Sequence, residues 1–484
     1  MGSIGENVKK FNTELTDYSE VHTDKTGPYA ENLEVDALVV GAGFEDGKWI
    51  INTTDGRTTK ARFLVLGTGF AAKRYIPPWK GMEKFKGVIH HSSFWPEEVM
   101  DVKDKRCAII GTGASGVQIT QAWGPEAGEL KVFQRTPNLA VPMRKRDLTV
   151  EEQERVKPYY PELFRYREAN FAGFLYDWCE RNTFDDTPEE RETFYENVWK
   201  DGGFRYWVAL YKDNLFSAEA NKESYNFWVK KTRARIGDPK LRELLAPREM
   251  PHYFGIKRPC LEQNYYEQFN RETVHLVDIK NNGIKEFTET GIMLEDGTCH
   301  EFDVIAVATG FVSSIRISGQ EMTETNIQQD IVTGVMTQLG LKSIDGAELE
   351  KEWIPGANTY LGTTVSGYPN MFHIYGPHGP TLLSNGPTTV AVQGRWIADT
   401  IAKIEAKGIK YINPKREAAD EWKKHIVELN DRSLFPTTRS TYMGGSIPGK
   451  VYEPVCYSGG IPAYAIEIRK ALDDWEKGFE IAKA

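Results

Sequence analysis

Cysteine is scarce and scattered in this sequence. The five present (Cys107, Cys179, Cys260, Cys299 and Cys456) are far apart in a chain of 484 residues. The odd count and the lack of any Cys-x-x-Cys argue against a disulfide framework or a cysteine zinc site, and point to a reducing compartment. Nine histidines show no metal-ligand spacing, so no metal is expected. No apolar run is long enough to span a bilayer, and no secretory h-region opens the chain. Long basic runs are missing as well. With 60 basic and 69 acidic residues the formal charge is −9, which disfavours a nucleic-acid or membrane-surface binder. The short clusters Arg144-Lys145-Arg146 and Lys230-Lys231-Thr232-Arg233 read as solvated faces. The expectation is a soluble, cytoplasmic protein that acts on small molecules.

What is present is a globular composition, 40% hydrophobic and 12% aromatic, on a chain long enough for two or three domains. A buried-strand run at Val35–Val40 leads into Gly41-Ala42-Gly43. Strand-like stretches follow at Lys48–Thr54 and Thr58–Leu66, joined at Asp55-Gly56 and ending in Gly67-Thr68-Gly69. Residues 105–140 read strand, glycine turn, helix, strand. Residues 150–250 turn rich in Glu, Arg, Lys and aromatics and poor in Val and Ile, as in a helical insertion. Strands return over 257–310, and helices are expected near 390–407, 418–429 and 463–479. The fold class is α/β, with two dinucleotide-binding (Rossmann-like) domains, the first incomplete. The expected organisation is an N-terminal arm over 1–33, a first domain from 34–100 and 311–484, a second from 101–149 and 251–310, and the insertion over 150–250.

The strongest motif is Gly111-Thr112-Gly113-Ala114-Ser115-Gly116-Val117-Gln118, directly after the strand Cys107–Ile110. Gly111 permits the tight turn, Gly113 lets a pyrophosphate approach the backbone, and Gly116 lets the helix pack closely. The next strand ends in Gln134-Arg135-Thr136 with no acid for a ribose hydroxyl. Arg135 suits a 2′-phosphate, so NADP is favoured over NAD.

The linker "FKGVIHHSSFWP" places Phe85, Gly87, His91, Trp95 and Pro96 in the pattern FxGxxxHxxxWP. On chemistry alone a packed connection with a hydrogen-bonded histidine stays open. The pattern resembles the fingerprint of Baeyer–Villiger monooxygenases, and the resemblance continues through "VFQRTPN", "GIKRPCLEQNYYEQFN", "VIAVATGF", "YLGTTVSGYPN" and "GPHGPTLLSN". It implies FAD and NADP as cofactors, and insertion of one oxygen of O2 beside a ketone carbonyl, through a peroxyflavin, to give an ester or lactone. It also implies Arg258 as the cation that holds the reacting anion, and Lys257 as a partner of Arg135 at the 2′-phosphate. His91 is implied as a coupler of the two domains, and Gly41, Gly43, Gly67–Gly69 and the stretch Gly376–Asn385 as the remaining contacts to FAD.

The same resemblance marks a departure. In the family the "GAGF" turn continues into a helix, a strand whose terminal acid holds the FAD ribose, and an active-site aspartate. Here Phe44 joins directly to Glu45-Asp46-Gly47, which reads as a hairpin tip. An internal block is missing, and edges once flanked by its strands are expected to be exposed. Near the end Thr441 and Ser446 replace a usual Trp and Asn. Three readings stay open: a Baeyer–Villiger enzyme, a non-catalytic NADP-binding homologue or shortened gene product, and an N- or S-oxygenating flavin enzyme.

Overall fold

The computed structural model describes residues 39–53, 56–69, 75–310, 334–337, 339–381, 383–444 and 451–483. The expected arm over 1–33, the start of the run at Val35, the Asp55 side of the expected turn and the loop Gly445–Lys450 lie outside the described residues.

The central element is a five-stranded, all-parallel sheet. Its strands lie side by side in the order Val274–Asp278, Glu129–Gln134, Arg106–Ile110, Val304–Val307, Val88–His91. Parallel strands covered on both faces read as continuous apolar runs, and Cys107–Ile110 and Val304–Val307 are buried throughout. Their side chains alternate between two cores, as a period of two requires. Cys107, Ile109, Val304 and Ala306 face one side, packed with Val117 and Trp123 of the helix Ala114–Trp123 and with Tyr206 and Trp228. Ala108, Ile110, Ile305 and Val307 face the other, against Phe287, Ile292 and Leu294 of an antiparallel sheet formed by Ile284–Phe287, Gly291–Leu294 and Cys299–Glu301. Between residues 150 and 245 the elements are helical, the longest being Pro188–Asp201 and Ala218–Arg233.

The glycines at 41 and 43 do not form a turn. They lie inside the strand Val39–Glu45, which pairs antiparallel with Lys48–Thr53 and places Gly41 opposite Asn52 and Gly43 opposite Ile50. Asp46 and Gly47 close the hairpin with φ of 51° and 82°, the two positive values that a type I′ Asp-Gly turn demands. Phe44 and Trp49 seal it edge to face at 5.5 Å, and the Trp49 indole N–H donates to the Pro369 carbonyl at 2.9 Å. Local hairpin chemistry thus overrides the glycine motif. The outer edge of this strand is covered at Ala42, whose N–H donates to Gly340 O and whose carbonyl accepts from Lys342 N. This corrects the expectation of a bare edge at that point.

The stretch expected as one strand from Thr58 divides into Thr58–Ala61, which joins the hairpin, and Leu64–Leu66, which pairs in parallel with Met371–His373. The C-terminal helices run Gly386–Ala406, Arg416–Asp431 and Ile461–Asp473. The last expected helix, 463–479, is occupied by two helices, Ile461–Asp473 and Trp475–Gly478. Residues Phe479–Lys483 form a strand against Ile409–Pro414, a pairing that no local pattern announces because its partners lie so far apart. No helix of the described residues is long and apolar enough to cross a membrane.

Candidate functional site

A cavity of about 820 Å³ opens at the C-terminal ends of the parallel strands, where Ile110, Phe133 and Ala308 reach its wall. This is where open α/β sheets bind ligands. Its wall includes Gly111, Thr112, Gly113, Ala114 and Gln118 from the glycine turn, Arg135 and Thr136 from the next strand end, and Lys257 and Arg258 from the segment after the helical region. Residues as far apart in sequence as Ile110 and Ala308 are brought to one place.

The three glycines divide their roles as the motif requires. Gly111 has φ of 107°, and a Cβ there would meet Ala308 O at 2.6 Å. A Cβ on Gly116 would stand 2.0 Å from Gly111 O, whereas one on Gly113 would meet nothing within 4 Å. Gly111 and Gly116 are therefore demanded by the protein's own packing, and Gly113 borders open space. No side chain caps the helix that starts after Gly113, so its N-terminal end is left for an anion. Ser115 is half-buried, and Val117 faces the core; neither reaches the cavity wall.

Asn138 fixes the turn against the cationic segment. Its amide N–H groups donate to Thr112 O at 2.7 Å and to Cys260 Sγ at 2.8 Å, while Thr112 Oγ1 donates to Thr136 O at 3.0 Å. Every charged side chain on the wall among the described residues is cationic: Arg135, Lys257 and Arg258. Burial, and the nearby Arg135 charge, pull the Lys257 ammonium below its ordinary range. An anion between the two would relieve that repulsion. Arg258 lies over the rings of Phe204 at 5.2 Å and Trp207 at 5.9 Å, held by cation–π attraction. Among the described residues no carboxylate lines the wall beside Arg135, Lys257 and Arg258.

The linker fingerprint is structural in its contacts. His91 ends a strand, is buried, and accepts from Ser93 N at 3.2 Å through Nδ1, which also meets Ser93 Oγ at 2.8 Å. Phe85 is buried, and a Cβ on Gly87 would strike Asp303 O and the Phe85 ring, each at 2.6 Å. Trp95 packs on Trp123 with ring centres 5.8 Å apart, and Pro96 follows half-buried. None of the five lines the cavity; they brace the strand edge beside it.

The first glycine pair offers no comparable cradle. Gly41 and Gly43 are mid-strand, and the tip carboxylates of Glu45 and Asp46 are exposed, Asp46 meeting Lys410 at 3.3 Å. The first α-helix among the described residues is the one after Gly113. Gly41 and Gly43 thus lie in a strand and not in the glycine turn expected of them, and among the described residues no helix follows them directly. Asn385 Oδ1 caps its own helix, accepting from Thr388 N and Oγ1 at 3.2 Å each. The other stretches expected to contact FAD are Gly67–Gly69 and Gly376–Asn385. Leu64–Leu66 ends at Gly67, and after the paired strand Met371–His373 the backbone takes positive φ at Tyr375 (58°) and His378 (61°). Such strain concentrates at functional sites.

Sequence reasoning missed Trp79, His252 and Thr309 on the cavity wall. The "ATG" after Val307 was a signal for Thr309. His252 carried none, because its neighbours in sequence are not its neighbours at the site.

A family model described as L-lysine 6-monooxygenase/L-ornithine 5-monooxygenase matches residues 22–170. Over 491 aligned residues the chain is 50% identical to FAD-binding monooxygenase acrE of Aspergillus aculeatus, covering all of this chain and 80% of that protein. It is 38% identical to cyclopentanone 1,2-monooxygenase of Comamonas sp., covering 95% of this chain and 80% of the relative. Among solved structures, OTEMO in complex with FAD and NADP matches with a TM-score of 0.84 at 31% identity, over 92% of this chain and 80% of that one.

Proposed function

The chain belongs to the Baeyer–Villiger monooxygenase family, and we propose that it oxidises a ketone to an ester or lactone with NADPH and O2. The family's cofactors are FAD and NADP. The observation that carries the reading is the cavity, without a carboxylate among the described residues of its wall, in which the glycine turn, Arg135, Lys257 and Arg258 converge.

NADP fits the residues present. The helix end after Gly113 would take the pyrophosphate, and Arg135 and Lys257 the 2′-phosphate. Arg258 would hold the anion that develops at the reacting carbonyl. A guanidinium is permanently charged and donates in a planar fork, so it needs no protonation step of its own. The rings of Phe204 and Trp207 keep that cation in place and exclude water from one side. Bound flavin supplies the activation of O2. On this chain the residues left to face it are Gly67–Gly69 and the Tyr375–Asn385 segment, without the pyrophosphate cradle.

The match to N-hydroxylating enzymes supports a second reading, oxygenation of an amine. That match ends at residue 170 and does not reach Lys257, Arg258 or Phe204. Relatives named for ketones, matched over 95% or more of this chain, favour the first. Product analysis with FAD, NADPH and parallel panels of ketones, amines and sulfides separates them. Esters or lactones support the proposal; N- or S-oxides without esters overturn it.

A further inference from the structure

His252 sits half-buried on the loop that also carries Lys257 and Arg258. Its Nδ1 is 2.9 Å from the carbonyl of Tyr253. A carbonyl oxygen can only accept, so Nδ1 carries a proton and Nε2 is the ring's remaining site. The positive charge of Lys257 on its own loop acts on this ring, and Arg258 and Arg135 line the same cavity. No carboxylate lines the wall among the described residues.

We propose that His252 completes, with Arg135 and Lys257, a three-group pocket for the nucleotide 2′-phosphate, and takes up one proton when that phosphate binds. The inference rests on the NADP reading of the cavity. In the free protein, burial chiefly, with Lys257 adding, holds the imidazole neutral and brings its pKa down to about 4. A phosphate dianion beside it reverses the local field and favours the charged form. The balance is simple: one proton moves from solvent to Nε2, and Nε2–H then donates to a phosphate oxygen. No covalent bond changes. His252 adds a pH-dependent part to the affinity.

The test uses the purified full chain and 2′,5′-ADP as the probe, titrated calorimetrically in buffers of differing ionisation enthalpy. NADPH and NADH are titrated in parallel. Wild type, His252→Gln, His252→Asn and Arg135→Ala are compared, with folding checked by circular dichroism. From about pH 8 to about pH 6 the wild-type affinity for 2′,5′-ADP should rise about tenfold more than that of either His252 variant. Wild type should also take up more protons per molecule bound, with NADH affinities alike in all. Equal pH slopes and equal proton uptake in wild type and His252 variants, while Arg135→Ala still weakens the probe, overturn the role of His252 alone. If wild type binds NADH as tightly as NADPH and Arg135→Ala changes nothing, the NADP reading falls, and this inference with it.

Discussion

Gly116 lies directly against Gly111: a Cβ on the first would come within 2.0 Å of the carbonyl oxygen of the second. At Gly113, three residues away, a Cβ would meet open space. The two positions are therefore expected to fail differently. Gly116→Ala should destabilise the fold by about 1–3 kcal/mol through overpacking, read as a lowered melting temperature. Gly113→Ala should melt like wild type yet bind NADPH at least about tenfold more weakly, because its methyl occupies the approach to the helix end. Equal behaviour of the two variants would contradict the turn's assignment.

Among the described residues no carboxylate lines the wall beside Arg135 and Lys257, so their charge is available to a ligand. Removing either should cost a charge-assisted hydrogen bond, about 1.5–3 kcal/mol, or roughly 10- to 150-fold in NADPH affinity. NADH affinity should barely move. Nucleotide fluorescence titration of Arg135→Ala and Lys257→Ala reads both numbers.

Arg258 is expected to act in the chemistry and not in nucleotide affinity. Arg258→Met should leave NADPH binding within about threefold while lowering ester formation by about 100-fold or more, the scale of a lost anion-stabilising donor. Rapid mixing that separates NADPH binding from product formation checks the split.

The flavin side leads to a different expectation. A hairpin replaces the first glycine turn, so FAD lacks a helix end for its pyrophosphate. The protein should therefore hold FAD loosely. Desalting should remove its yellow colour, and added FAD should restore flavin fluorescence quenching in a saturable way. Flavin that survives extensive washing would show that Gly67–Gly69 and the Tyr375–Asn385 wall suffice.

Two buried histidines set an acid limit on stability. Burial pulls His373 and His378 each down to about 3 from an ordinary 6.5, so both are neutral in the fold. The unfolded chain binds these protons near pH 6.5 and the folded protein does not. Their stabilisation is thus complete above that value and lost as pH falls towards 3. The loss is about 1.4 kcal/mol per histidine per pH unit. Melting temperatures should drop steadily from about pH 6.5 downwards, and His378→Gln should flatten the slope.

Much of the second nucleotide site was legible because its parts are local. Strand, glycine turn and helix are contiguous, and Arg135 follows at the next strand end. Lys257 and Arg258 were not readable from spacing: a basic pair is usually solvated, and only the family resemblance raised it. His252 and Trp79 were invisible, since the fold alone carries them to the cavity. At Gly41 and Gly43 the sequence held two competing signals. The hairpin won because Asp46-Gly47 supplies the right backbone and Trp49 a large side chain to bury. The strand Phe479–Lys483 was not anticipated because its partner at Ile409–Pro414 is remote in sequence.

The central claim is oxygen insertion beside a ketone at a cavity built around NADPH. The most direct measurement supplies saturating FAD, NADPH and a cyclic or linear ketone under oxygen-18 gas, followed by mass spectrometry of the products. The expected product is an ester or lactone carrying a single oxygen-18 atom at the ring or ester position, formed only with NADPH. NADPH consumption that yields peroxide and no labelled ester with any ketone would contradict it.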